Sequence, residues 1–428
     1  MPDMVLHISL ALLIVLSALS IGLKVLSVLK IEILVIENLF LSSTLGFGIL
    51  SFFILMLGLF SLLNKYLLLF CMVLIIIASW RDLQIIIVKI FNKISNAKAF
   101  FLHTNYFNKI LIIFIIINIS LLFIGSIAPT TNPDSIFYHF PHAKKFLDNN
   151  NTAFIDTMPL SALPNLMEMI YIPGLITRSY PVCQFINWFI GLLFILAVIN
   201  FGKRIFNLDV GILSGAIVCS ITSLNEIMTS GKVEIASAAF LFCSLITLFK
   251  YLDTNSSKWF FLSSVFLGFF GSTKLPNTML LFIMAFVVFI ILRMSKNKFK
   301  LKYTILFLFI SISINSIWFL RSYHYTDNPV HPFLSKIFNA DESSDLLEKQ
   351  EHFKHPITGN SDPLNSPNKF FEYRSPLKFL LSPWTLSMDI QRYRGSPGPL
   401  FLIFLPLVVF RIGSYTKIQK YLLITIFF

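Results

Sequence analysis

The segment Asn132-Pro133-Asp134-Ser135-Ile136-Phe137-Tyr138-His139-Phe140-Pro141 follows directly on an apolar run from Lys109 to Ile127. A helix needs roughly 20 apolar residues to cross the hydrocarbon of a bilayer. The run therefore reads as a membrane span, and Asp134 as an acid held at its edge. Pro133 sits where a new helix would start, because a first-turn proline loses no helical hydrogen bond.

The rest of the chain has the same character. Of 428 residues, 56% are hydrophobic and 13% are charged, with a mean hydropathy of +0.78. Soluble domains carry about 25% charged residues, so the composition indicates an integral membrane protein. The formal charge of +13 falls in short segments between apolar runs, which is the positive-inside pattern and not a nucleic-acid footprint. Cys71, Cys183, Cys219 and Cys243 lie in or beside apolar runs without metal-ligand spacing, and read as inert buried thiols. The start, Met1-Pro2-Asp3-Met4, lacks the basic region of a signal peptide, so Val5 to Leu23 reads as a retained span.

Apolar runs at 5–23, 40–63, 66–80, 109–127, 183–201, 209–228, 234–250, 258–273, 275–292, 303–320 and 399–411 predict an all-α polytopic bundle of 11–12 spans with two long outer loops. The run Tyr421 to Phe428 is too short to cross and reads as a further span cut off. Segment 81–108 carries Arg81, Lys89, Lys93 and Lys98 against Asp82 alone, and 293–302 carries five bases and no acid. Lys203-Arg204 and Arg411, Lys417 and Lys420 mark two further basic turns. Alternating the spans puts all of these on one side, the cytoplasm, and leaves loops 128–182 and 321–398 outside. The expected organisation is then N-terminal accessory spans at 1–80, a basic cytoplasmic loop at 81–108, a transmembrane core at 109–320, an outer cap at 321–398 and C-terminal spans at 399–428.

Charges near hydrocarbon are costly and call for a named partner or a function. Asp134, Lys232, Glu234, Lys274 and Arg321 all fall at outer helix ends on this topology. Polar groups from several helices meeting at one depth are what a site between spans requires. Asp134 can simply complement a helix dipole, worth about 0.3–1 kcal/mol, or it can act as a general base. Lys232 and Glu234 are two apart, so on a helix they point in different directions, leaving Lys232 for Asp134 or for a lipid phosphate. Glu234 can equally cap its own helix, Lys274 can snorkel from a tight turn, and Arg321 can anchor at the interface. His139 and His142, three apart, share a face only if Pro141 leaves the helix intact. They fit phosphate or headgroup contact, or a metal pair.

Taken together, these segments resemble the bacterial GT-C-fold membrane glycosyltransferases, the group of protein O-mannosyltransferases and the aminoarabinose transferase of lipid A. Many members read Asp-x-x-x-Tyr-His-Leu-Pro where this chain has Asp134 to Pro141, with Phe140 for Leu. The segments Lys232-Val233-Glu234, Arg321-Ser322-Tyr323 with Asn328-Pro329-Val330-His331-Pro332, and Gly398-Pro399-Leu400-Phe401-Leu402 are similar in order. The resemblance implies a GT-C-like bundle in a bacterial inner membrane. It implies transfer of a hexose or pentose from a polyprenyl-phosphate donor to a lipid, glycan or protein acceptor hydroxyl on the outer face. Asp134 matches the catalytic acid of the first loop, and Glu234 stands where relatives carry a second acid, often Asp. Tyr138, His139, His142, Lys232, Lys274 and Arg321 are the expected substrate contacts, the cations stabilising the leaving phosphate. No cofactor is required by the residues themselves, although some relatives use a divalent metal. A transporter, flippase or polysaccharide polymerase for lipid-linked glycans is the second reading. It is expected to show paired, broken spans near the midplane, whereas the unusual charges here gather at the outer rim.

Overall fold

The computed structural model of the protein describes residues 2–294, 300–338, 410 and 412–427, and these residues form no strand. The helices, in chain order, are α1 (Pro2–Val28), α2 (Val35–Leu59), α3 (Lys65–Ala78), α4 (Trp80–Ser95), α5 (Ala97–His103), α6 (Tyr106–Ile127), α7 (Phe140–Asp148), α8 (Leu166–Gly174), α9 (Pro181–Ile205), α10 (Leu208–Ser220), α11 (Thr222–Met228), α12 (Glu234–Thr254), α13 (Ser257–Gly271), α14 (Leu275–Met294) and α15 (Lys300–Thr326). In hydrocarbon every backbone N–H and C=O needs an internal partner, which restricts apolar segments of this length to helices. The protein is thus an all-α, multi-spanning membrane helix bundle.

Seven helices are long and apolar enough to cross a bilayer among the described residues: 4–28, 35–59, 106–127, 181–205, 234–254, 275–294 and 301–326. Two bent pairs raise the number to nine at most among the described residues. The expected span 209–228 is broken by 75° between α10 and α11. There the Asn225 side chain donates to the carbonyl of Cys219 at 3.1 Å, taking up a backbone acceptor that the break exposes. The run 66–80 ends at Ala78, and α4 leaves it at 69°. The expected span 258–273 becomes the 15-residue α13, about 22 Å long at 1.5 Å per residue. Segment 81–108, expected as a loop, is mostly helical in α4 and α5. The expected span 399–411 lies outside the described residues except for Phe410, as does the cap at 321–398 beyond Phe338.

Two compact units are distinguished. The first comprises residues 1–153, 164–318 and 421–428, the second 154–163 and 319–420. Within the first, helix ends meet as the alternation of spans requires. At one end Lys258 Nζ donates to Leu29 O at 2.7 Å, Lys250 lies 3.0 Å from Glu37, Arg204 pairs with Asp253, and Asn108 donates to Asp209 at 2.5 Å. At the other end Leu63 N donates to Asn150 O and Thr152 N to Gly58 O, both at 3.2 Å. Serines supply polar cross-links between the helices: Ser244 Oγ donates to Ser263 O at 2.9 Å, and Ser311 Oγ to Ser264 O at 2.9 Å. The four cysteines are free, and all but Cys71 are buried.

In the second unit, Ser322 and Thr326 both donate to the carbonyl of Asn328, at 2.7 and 3.0 Å. The Asn328 amide in turn donates to Phe333 O at 2.8 Å, closing the turn after α15.

Helices α1 and α2 approach closely. A Cβ on Gly22 would strike the Ser42 carbonyl, and one on Gly46 the Ala18 carbonyl. Ala18 and Gly22, like Ser42 and Gly46, are four apart, the small-residue spacing that lets membrane helices approach. Gly46→Leu is expected to destabilise the detergent-purified protein by about 1–3 kcal/mol through overpacking, read as a fall in unfolding temperature. Gly413→Ala, at a position with nothing within 4 Å, is the control expected to leave it unchanged.

Candidate functional site

The site is built where α6 hands over to the helical turns before α7. Asn132 Oδ1 accepts from Ser135 N at 3.2 Å and from Ser135 Oγ at 3.3 Å, so the asparagine starts a helical turn two residues ahead of Asp134. Residues 135–139 then form a single π-helical turn, a wide geometry that occurs frequently at functional sites. Pro141 falls in the first turn of α7, where it leaves the helix intact.

This segment is fastened to the turn between α11 and α12. Gly231 N donates to Ser135 Oγ at 2.9 Å. Gly231 must be small, since a Cβ there would overlap the Phe140 ring. From α9, Gln184 Nε2 donates to Ala128 O at 2.9 Å and to Thr229 O at 2.7 Å. Three residues later, Asn187 Nδ2 donates to Ser230 O at 2.7 Å and Lys232 O at 2.6 Å, and its Oδ1 accepts from the Tyr171 hydroxyl at 2.9 Å.

The backbone so held brings the predicted charges together in two pairs. Lys232 Nζ lies 3.4 Å from Asp134 Oδ2 and 3.7 Å from Glu226 Oε1, and Glu226 also accepts from Asn132 Nδ2 at 2.6 Å. Lys274 Nζ lies 3.0 Å from Glu234 Oε1. Glu234 opens α12 without a capping bond from the preceding residue. The Asp134 side chain is 59% exposed and that of Lys232 21%, so Asp134 is reachable yet has a cation at hand. Pairs this exposed contribute little stability.

Tyr138 links these groups. Its ring centroid is 4.4 Å from that of His139 and 4.6 Å from that of His142. Its phenol is held well above the ordinary tyrosine range by desolvation first, and then by the carboxylates of Glu168, Glu234 and Asp134. At neutral pH it is a proton-bearing hydroxyl among three acids. His139 Nδ1 is 2.6 Å from Glu168 Oε1, with both side chains all but fully buried.

Arg321 lies in the second unit. It is buried, and its Nη1 donates to the carbonyl of Ser161 at 3.0 Å. Among the described residues no three His, Cys, Asp or Glu side chains are disposed to hold a metal, and His139 is committed to Glu168.

Four residues of this arrangement escape a reading of the sequence. Glu168 lies in the apolar run Leu166 to Leu175, too short to count as a span; an acid in such a run is itself the available signal. Glu226 sits at the end of an apolar run whose composition reads as straight. Gln184 and Asn187 are polar residues three apart on one face at the start of a span, and that spacing is the visible clue.

Residues 176–318, roughly a third of the chain, match the model of a family described as dolichyl-phosphate-mannose-protein mannosyltransferase. No curated protein and no solved structure matches the chain. The matched stretch contains Gln184, Asn187, Glu226, Lys232, Glu234 and Lys274; Asp134 precedes it and Arg321 follows it.

The buried histidine–glutamate bond is testable by a double-mutant cycle. Glu168→Gln and His139→Gln are each expected to lower stability in detergent, and together to cost less than their sum by about 1–3 kcal/mol. Strict additivity in thermal unfolding shows that the two side chains do not support one another.

Proposed function

We propose that the protein is a membrane glycosyltransferase that moves a sugar from a polyprenyl-phosphate donor to an acceptor hydroxyl. The reaction takes place on the outer face of a bacterial inner membrane. The observation that carries this reading is a reachable carboxylate, Asp134, 3.4 Å from the ammonium of Lys232, just ahead of a stretch similar to a mannosyltransferase family model.

In this reading Asp134 takes the proton of the acceptor hydroxyl as its oxygen attacks the anomeric carbon. The bond from that carbon to the phosphate oxygen breaks, and the polyprenyl phosphate leaves with the electron pair. Configuration at the anomeric carbon inverts. Charge grows on the departing phosphate, and fixed cations aimed at developing charge lower the barrier without reorganising. Lys232 and Lys274 are assigned that role. Glu234, bonded to Lys274 at 3.0 Å, serves as the second acid and orients this lysine. Tyr138 is assigned to the donor as a hydrogen-bond donor to the sugar or phosphate, and His139 and His142, whose rings pack against it at 4.4 and 4.6 Å, position it there.

A positioned base contributes about 10²- to 10⁴-fold in rate. Asp134→Asn is therefore expected to reduce transfer from a polyprenyl-phosphate sugar by that factor in proteoliposomes, with binding of the donor largely kept. Transfer at near wild-type rate by this variant removes Asp134 as the base. Pyrophosphate-linked donors, run in parallel, separate a phosphodiester donor from its alternative.

A further inference from the structure

Helix α4 (Trp80–Ser95) has no place among the spans. It leaves α3 at 69°, an angle that sends a helix along a bilayer surface and not across it. Its side chains fall on three faces, with one exposed apolar residue, Ile85, on the third beside Lys89. Leu83 and Ile86 are buried against Leu19 and Leu23 of α1, with Ile90 packed alongside. A second stripe, Trp80, Ile87, Phe91 and Ile94 at spacings of seven, four and three, faces outward with Val88 at its flank. Phe91 is 68% exposed and Ile94 63%. The third face carries Lys89, Asn92, Lys93 and Asn96, again at helical spacing, and all four are exposed.

Such an apolar stripe is too long to be left in water, and its neighbours show what covers it. Arg81, Lys89, Lys93 and Lys98 stand against one acid, Asp82, which already lies 3.8 Å from Lys24. In α5, Phe100 and Leu102 continue the exposed apolar surface. The foot joins two apolar helices, α3 and α6, at the end of the bundle where Lys258 meets Leu29. A helix with a basic polar face and an outward apolar face lies in the interface plane, where anionic lipids attract it.

We propose that α4 and α5 lie in the plane of the bilayer at the basic end of the bundle and bind anionic phospholipid headgroups. Phe91, Ile94 and Trp80 enter the acyl boundary, and Lys89, Lys93 and Lys98 reach the headgroup phosphates. This binding site is independent of the transferase reading and stands or falls without it.

The test uses the full-length protein reconstituted in phosphatidylcholine vesicles with a minor fraction of phosphatidylglycerol. Spin labels are placed by Phe91→Cys and, separately, Lys93→Cys, with the labelled wild-type protein as background. The Phe91 site is expected to collide with oxygen and be shielded from an aqueous nickel chelate, and the Lys93 site to show the reverse. Phosphatidylglycerol retained on purification is expected to exceed its share in the vesicle. Lys89→Gln with Lys93→Gln and Lys98→Gln is expected to lower that excess about tenfold or more, and added salt to lower it in the wild type. Equal chelate access at the two sites overturns the in-plane placement. An unchanged lipid ratio in the triple variant overturns headgroup binding, leaving an apolar foot only. Shielding at Phe91 that persists in detergent and rises with protein concentration identifies a protein partner instead, and also overturns the proposal.

Discussion

Two side-chain amides on the first turns of α9 hold the candidate site in shape. Gln184 and Asn187 donate to the carbonyls of Ala128, Thr229, Ser230 and Lys232. All four acceptors belong to segments that have left their helices, so their backbone groups lack intrahelical partners. Near hydrocarbon an unmatched carbonyl is costly, and these amides supply the missing donors. Their geometry couples the chain before Asp134 to the chain around Lys232, across about a hundred residues of sequence. The 3.4 Å approach of the two charges therefore follows from neutral hydrogen bonds more than from Coulomb attraction, which is weak at this exposure.

The two ends of the bundle use similar charges in different ways. At one end Glu37 is buried, with Lys250 at 3.0 Å and Arg204 at 3.8 Å, and Arg204 also meets Asp253. The charges of this one cluster match each other inside the protein, and it ties α2, α9 and α12 together. At the other end Asp134, Glu226, Glu234 and Lys274 all keep more than a third of their side-chain surface open. A closed network serves packing, whereas an open one leaves its charges available to a ligand.

Much of this arrangement is legible in the amino-acid chain alone. Apolar runs of span length and the bias of Lys and Arg between them predict both the helices and their alternation, because hydrocarbon leaves a chain few options. The two-residue spacing of Lys232 and Glu234 implies separate partners, and they pair with Asp134 and Lys274 respectively. Bends are not legible. The run 209–228 has span-like composition throughout, and hydropathy does not register a change of direction at Ile221; at Ser79 it marks the end of a span but not the angle at which the chain goes on. Glu168 and Glu226 escape notice for the same reason, each lying in a run whose character is set by its apolar neighbours.

The departures from straight spans are where the molecule gathers its polar side chains. The 75° break at Ile221 turns α11 so that Glu226 reaches Asn132 and Lys232, adding a second carboxylate beside the ammonium that faces Asp134. The short buried α8 does not cross, and it carries Glu168 to His139 within the protein interior. The bend after Ala78 turns the segment expected as a basic loop into an amphipathic helical foot. An unbroken helix in hydrocarbon satisfies its backbone and presents mostly apolar side chains. Only where it breaks are polar side chains needed to replace lost partners, and so the breaks bring carboxylates and ammonium groups from distant parts of the chain within a few ångströms of one another.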